Sequence, residues 1–116
     1  MTNSIDELEF TDLILATGTN TTENHPVIGM KVKRGIRQQG TKLIVIDPRE
    51  IDLVKNSPHV HADCHLKLRP GTNVALVNAL AHVIVTEKLL DESFVNKRCD
   101  VASFTKWETF IAQEHN

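Results

Sequence analysis

Two unbroken apolar runs, Leu13-Ile14-Leu15 and Leu43-Ile44-Val45-Ile46, bracket a helix-forming stretch and restrict this chain to few folds. Consecutive apolar residues, rather than alternating ones, fit parallel strands covered on both faces, so helices are expected to flank the sheet. Between the runs, Asn24 or His25 can cap a helix with Pro26 in its first turn, where a missing N–H and a fixed φ cost nothing. Ile28, Val32 and Ile36 recur every four residues as one apolar stripe, leaving Lys31, Lys33, Arg34, Arg37 and Gln38 for the other face. Gly40 supplies a left-handed stop. Strand, helix and second parallel strand in this order make a right-handed crossover, which brings the carboxyl ends of both strands to one rim.

Residues 55–63 read as a connection, after which Cys64 to Leu68 form a third short strand closed by Arg69, Pro70 and Gly71. Thr72 then caps a helix whose Val74, Leu76, Val77, Leu80, Ala81, Val83 and Ile84 spread around its circumference, as in a helix buried between layers. Asp91 caps a short helix through Arg98. Residues 100–116 form an amphipathic last helix whose Phe104, Trp107, Phe110 and Ile111 need cover, from absent domains or by self-association. The expected architecture is α/β: a three-layer Rossmann-like unit with about three parallel strands and flanking helices, one partial domain over residues 1–116.

Composition excludes several classes. A net charge of −2 gives no basic footprint for nucleic acid. No apolar run approaches the roughly 20 residues of a membrane span, and the first ten residues carry acids rather than a basic leader. The two cysteines, Cys64 and Cys99, are far apart and suggest neither a disulfide framework nor a metal site. Cys64 reads as a small buried strand residue and Cys99 as part of a helix connection. His59, His61 and His65 lack the partners and spacing of structural zinc ligands and read as loop or strand histidines.

The three strand ends are polar: Gly18, Thr19, Asn20, Thr21 and Thr22 after the first, Asp47, Pro48 and Arg49 after the second, Arg69 to Asn73 after the third. In an open parallel sheet the ligand crevice lies beyond these ends. The first cluster offers hydroxyls and amides near a helix start, suited to a pyrophosphate. Asp47, taken as a rim carboxylate, suits ribose hydroxyls, and Arg49 suits phosphate. His25 is either a cap or a ligand contact. Each cluster alone is an ordinary turn or cap, and the loop has one glycine where a GxGxxG fingerprint has three, which disfavours a standard NAD site.

The segments GTNTTENHPVIG (18–29), VIDPRE (45–50) and RPGTNVALVNALAHVI (69–84) together resemble the molybdopterin oxidoreductase family, nearest to formate dehydrogenase catalytic (alpha) subunits. The likeness also covers MTNSIDELEFTDLI at the start and LLDESFVNKR before the last helix. It implies a dinucleotide-binding-like domain holding molybdopterin guanine dinucleotide. Gly18, Asn20, Thr21 and Thr22 would face phosphates, Asp47 ribose hydroxyls with Arg49 close by, and Gly71, Thr72 and Asn73 the guanine pocket. Many relatives have Asp where this chain has Asn73, which accepts through one oxygen only. The family's iron–sulfur cysteine set, its cysteine or selenocysteine ligand to molybdenum or tungsten, and its nearby His and Arg are missing here. The chain is thus expected to be an inactive piece of a cytoplasmic catalytic subunit, partnered by that subunit's remaining domains and by electron-transfer subunits of unspecified kind. The alternatives are an NAD- or FAD-binding or thiamine-diphosphate-enzyme middle domain, and a noncatalytic interaction module of the same fold.

Overall fold

The structure is a computed structural model that describes residues 3–55 and 60–113. It divides into two compact units, Met1–Arg69 and Pro70–Asn116. The first holds strands β1 (Leu13–Thr17), β2 (Lys42–Ile46) and β3 (Cys64–Leu66) and helices α1 (Thr21–Asn24), α2 (Pro26–Gln39) and α3 (Asp52–Lys55), after a 3-10 turn over Ile5–Glu9. The second holds α4 (Asn73–Thr86), α5 (Glu92–Arg98) and α6 (Val101–Ala112).

The sheet is parallel, as the crossover argument requires, and β2 lies in the centre. In the β1–β2 register Ile14 stands beside Leu43 and Ala16 beside Val45, so these four share one face. Leu43 and Val45 are fully buried there, each worth about 1.5–3 kcal/mol against exposure. The predicted stripe of α2 covers them: Val32 belongs to the same core cluster as Ala16, Leu43 and Val45, with Ile28 and Ile36 packed against it. Gly40 closes α2 in the left-handed region at φ +73°. The opposite face of the sheet is covered unevenly: Ile46 is buried, yet Leu13 and Leu15 are about half exposed.

Cys64 is exposed, which corrects its reading as a buried strand residue. Its partner in register is Ile44, so it stands on the sheet face opposite to Leu43 and Val45, away from the covering helix α2. Asp63, just before it, locks β3 onto β2 by accepting from the Leu43 N–H (2.9 Å) and Lys42 Nζ (2.9 Å) while its own N–H donates to the Leu43 carbonyl (2.8 Å). The Leu43 N–H, with Lys42 second, holds the Asp63 carboxyl below its ordinary range.

In the second unit the Asp91 side chain accepts from the Phe94 N–H, as expected of a cap, and Asp100 does the same for α6 through Ser103. The His82 Nδ1–H donates to the Ile111 carbonyl at 2.8 Å, tying α4 to α6 over a buried Ile111. Trp107 and Phe104 pack in a tilted pair, 5.4 Å between centroids and 44° between planes. The apolar girdle of α4 remains largely open in this chain: Val74, Val77, Val83 and Ile84 are exposed, and Phe110 on α6 with them. Among the described residues no helix is long and apolar enough to cross a membrane.

Candidate nucleotide-binding site

The β1–β2 ladder ends with Thr17 beside Ile46, and the Gly18 N–H donates to the Ile46 carbonyl at 2.9 Å. The loop after β1 and the carboxylate after β2 therefore leave the sheet side by side. Gly18 adopts φ +58° with open space around it, so its glycine character serves the turn. Its N–H belongs to the ladder, which removes it from the expected phosphate donors.

The stretch expected to be a loop contains one helical turn, α1, followed at once by α2. His25 sits at the junction as the backbone cap of α2, and its side chain makes no cap bond. The two helices meet closely because position 29 lacks a side chain: a Cβ on Gly29 would lie 3.0 Å from the Thr21 carbonyl oxygen and 3.2 Å from the Thr22 nitrogen. At this close approach Thr21 is buried and Thr22 half-buried. Asn20 is 7% exposed and Thr21 8%. Asn20 Oδ1, Thr21 Oγ1 and Thr22 Oγ1 are all buried without a hydrogen-bond partner. Thr19 beside them is half-buried.

Asp47 is 3% exposed, which corrects its placing as a rim carboxylate. Its Oδ1 accepts from the Arg49 N–H at 2.8 Å, an Asx turn that also ends β2. The Arg49 side chain is mostly exposed, with Nε 3.6 Å from the same oxygen. Among the described residues, the Arg49 N–H and Nε both meet the Asp47 carboxylate at Oδ1. His65 Nε2–H donates to the Asp47 carbonyl at 2.8 Å. That positioning contact has no sequence signal, because it depends on the Val45–His65 register between two distant segments.

Gly71, Thr72 and Asn73 belong to the second unit. There Gly71 takes φ +88°, Thr72 is the backbone cap of α4 and Asn73 its first residue, all exposed. Among the described residues no three of His, Cys, Asp and Glu gather as a metal site. His59 lies outside the described residues, and His61 is exposed.

The ends of β1 and β2 thus bring together two buried threonine hydroxyls without partners, the buried Asp47 carboxylate and the mostly exposed Arg49 side chain. Comparison with known proteins identifies the family. The molybdopterin oxidoreductase family profile matches residues 1–108. The chain is 46% identical over 100 residues to the F420-dependent formate dehydrogenase subunit alpha of Methanocaldococcus jannaschii, covering 86% of this chain and 14% of that protein. It is 48% identical over 98 residues to the F420-dependent formate dehydrogenase 1 subunit alpha of Methanococcus maripaludis, covering 84% and 14%. Against formate dehydrogenase H of Escherichia coli it is 39% identical over 100 residues, covering 86% and 13%. The chain thus spans about one-seventh of the length of these relatives, and it belongs to the molybdopterin oxidoreductase family.

Proposed function

We propose that the ends of β1 and β2 hold the guanosine diphosphate arm of a molybdopterin guanine dinucleotide in a formate dehydrogenase. The observation that carries this reading is the trio of buried, unbonded oxygens on Asn20, Thr21 and Thr22. A buried polar group left without a partner costs about 1–3 kcal/mol, so three on consecutive residues call for a polar guest. The threonine hydroxyls donate to phosphate oxygens. The Asn20 carboxamide accepts a sugar hydroxyl through Oδ1, or presents its amino group to phosphate if the amide is turned over. Asp47 accepts ribose hydroxyls through Oδ2, held in place by the Arg49 N–H and backed by His65. Arg49 reaches phosphate from the solvent side, and His25, whose side chain makes no cap bond, stands at the start of α2 within the same loop.

When bound, the molybdenum- or tungsten-pterin end of such a cofactor supplies the two-electron chemistry that turns formate into carbon dioxide. The residues here bind and orient its distal arm, and none is assigned as acid, base or nucleophile. The test is an amide NMR titration of the chain with GDP, NAD and FAD in parallel at millimolar ligand. Saturable shifts at Asn20, Thr21, Thr22 and Asp47 with GDP, stronger than with NAD or FAD, are expected. Silence from GDP, or tighter binding of NAD or FAD at these residues, overturns the assignment.

A further inference from the structure

The solvent face of α2 carries a concavity that shares only Thr22 with the residues of the nucleotide reading, and whose cations that reading does not use. It is a cleft of about 510 Å³ whose lining includes Thr22, Pro26, Met30, Lys33, Arg34 and Arg37. Its cations are not equivalent. Arg34 is neutralised by Glu9 at 3.1 Å, just as Lys31 outside the cleft is held by Glu9 and Asp6. Lys33 and Arg37 have no anionic partner among the described residues, although Lys33 is half-buried. They lie four residues apart on one helix face, where like charges oppose each other. A partly desolvated cation beside a like charge is unfavourable unless something anionic neutralises it. The chain as a whole is acidic at −2, so this face stands out in sign.

Shape decides the class of partner. From Pro26 to Arg37 the helix rises roughly 16 Å, the length of about five extended residues. Met30 at its middle is 50% exposed and offers an apolar floor between the polar end at Thr22 and the cationic end. Among the described residues no aromatic ring lines the cleft to stack a base. We propose that this cleft docks an extended acidic peptide segment of a partner protein, with carboxylates on Lys33 and Arg37 and an aliphatic side chain over Met30.

The probe is the capped peptide Glu-Glu-Leu-Glu-Glu, titrated into the whole chain and followed by amide NMR. Saturable shifts centred on Met30, Lys33 and Arg37 are expected, weakening as salt rises. The double substitution K33E/R37E is expected to reduce affinity by about tenfold, and the milder K33Q/R37Q to reduce it in the same direction, each checked for folding by circular dichroism. K97E/R98E on α5, an equal change of charge elsewhere, is expected to leave binding unchanged. The proposal is overturned by absence of saturable shifts at millimolar peptide, by equal binding of the neutral Gln-Gln-Leu-Gln-Gln peptide, by K33Q/R37Q binding like the parent chain, or by tighter binding of oligothymidylate at the same residues.

Discussion

Replacing Thr21 by Val isolates the central claim about the nucleotide rim. Valine keeps the branched shape and exchanges the hydroxyl for a methyl group. In the free chain Thr21 Oγ1 is buried and bonded to nothing, and the residue is 8% exposed. An unsatisfied buried hydroxyl costs about 1–3 kcal/mol, so T21V should stabilise the free chain by about 1 kcal/mol after small packing losses. In a unit of this size that corresponds to a rise of roughly 4–8 °C in midpoint. Binding should move the other way. A hydrogen bond to a charged phosphate contributes about 1.5–3 kcal/mol, so GDP should bind roughly ten- to a hundredfold more weakly. Thermal and urea unfolding give the first quantity and an NMR titration with GDP the second. A lower midpoint would show that the hydroxyl has a partner in the free chain. A higher midpoint with unchanged GDP affinity would remove Thr21 from the ligand's surroundings.

Asp47→Asn keeps the oxygen that caps the Arg49 N–H and removes the charge, so the midpoint should hold while GDP affinity falls about fivefold; Asp47→Ala should also cost about 1–2 kcal/mol of stability by orphaning that N–H. Glu9→Gln tests the ion pairs of α2: hydrogen bonding from Lys31 above all, then the Arg34 and Lys31 charges, hold the Glu9 carboxyl below its ordinary range. A depressed carboxyl stabilises above its unfolded pKa and loses that contribution as pH falls through the folded value, so the urea-midpoint advantage of the parent chain over E9Q should be present at neutral pH and disappear in acid. Lys88 takes the left-handed conformation at φ 56° where α4 ends, with the Leu89 N–H on the Ile84 carbonyl, so Lys88→Gly should raise the unfolding free energy measured by urea titration by about 0.5–1 kcal/mol. Ile111→Ala, at 1% exposure, should cost the second unit about 2–5 kcal/mol by calorimetry, whereas Val74→Glu on the open side of α4 should change stability by less than about 0.5 kcal/mol.

The parts of the fold legible in sequence are those carried by periodicity and local turn chemistry. The stripe Ile28, Val32, Ile36 and the stop at Gly40 need only near neighbours in the chain, and the structure has both. One turn of helix at Thr21–Asn24 was not legible, because four residues are too few to display a period. Burial failed in both directions for a related reason. Cys64 is exposed and Asp47 buried because face and depth depend on strand register and on which helix covers which face, and both are long-range facts. The girdle of α4 shows the same limit: its composition describes what the helix requires, and its exposure here describes what this chain supplies. The site was half legible, since residue types at the strand ends announce polar chemistry. The bond from His65 to the Asp47 carbonyl and the double grip of Asp63 on β2 required the sheet to be assembled first.

The orphaned oxygens gain meaning from how carefully polar burial is managed in the same unit. Thr41 is 2% exposed, and its hydroxyl donates to the Thr11 carbonyl at 2.7 Å. Asp47 is as deep, and its Oδ1 is met by a backbone N–H. Among the described residues, the buried side-chain atoms left without partners all fall on Asn20, Thr21 and Thr22. They are seated there by Gly29, whose missing Cβ lets α2 press against the backbone of α1. General looseness of packing would scatter such atoms through the unit. Three consecutive residues at the carboxyl end of a parallel strand, beside the carboxylate of the next, instead localise the unmet polar demand where an open α/β sheet receives its ligand.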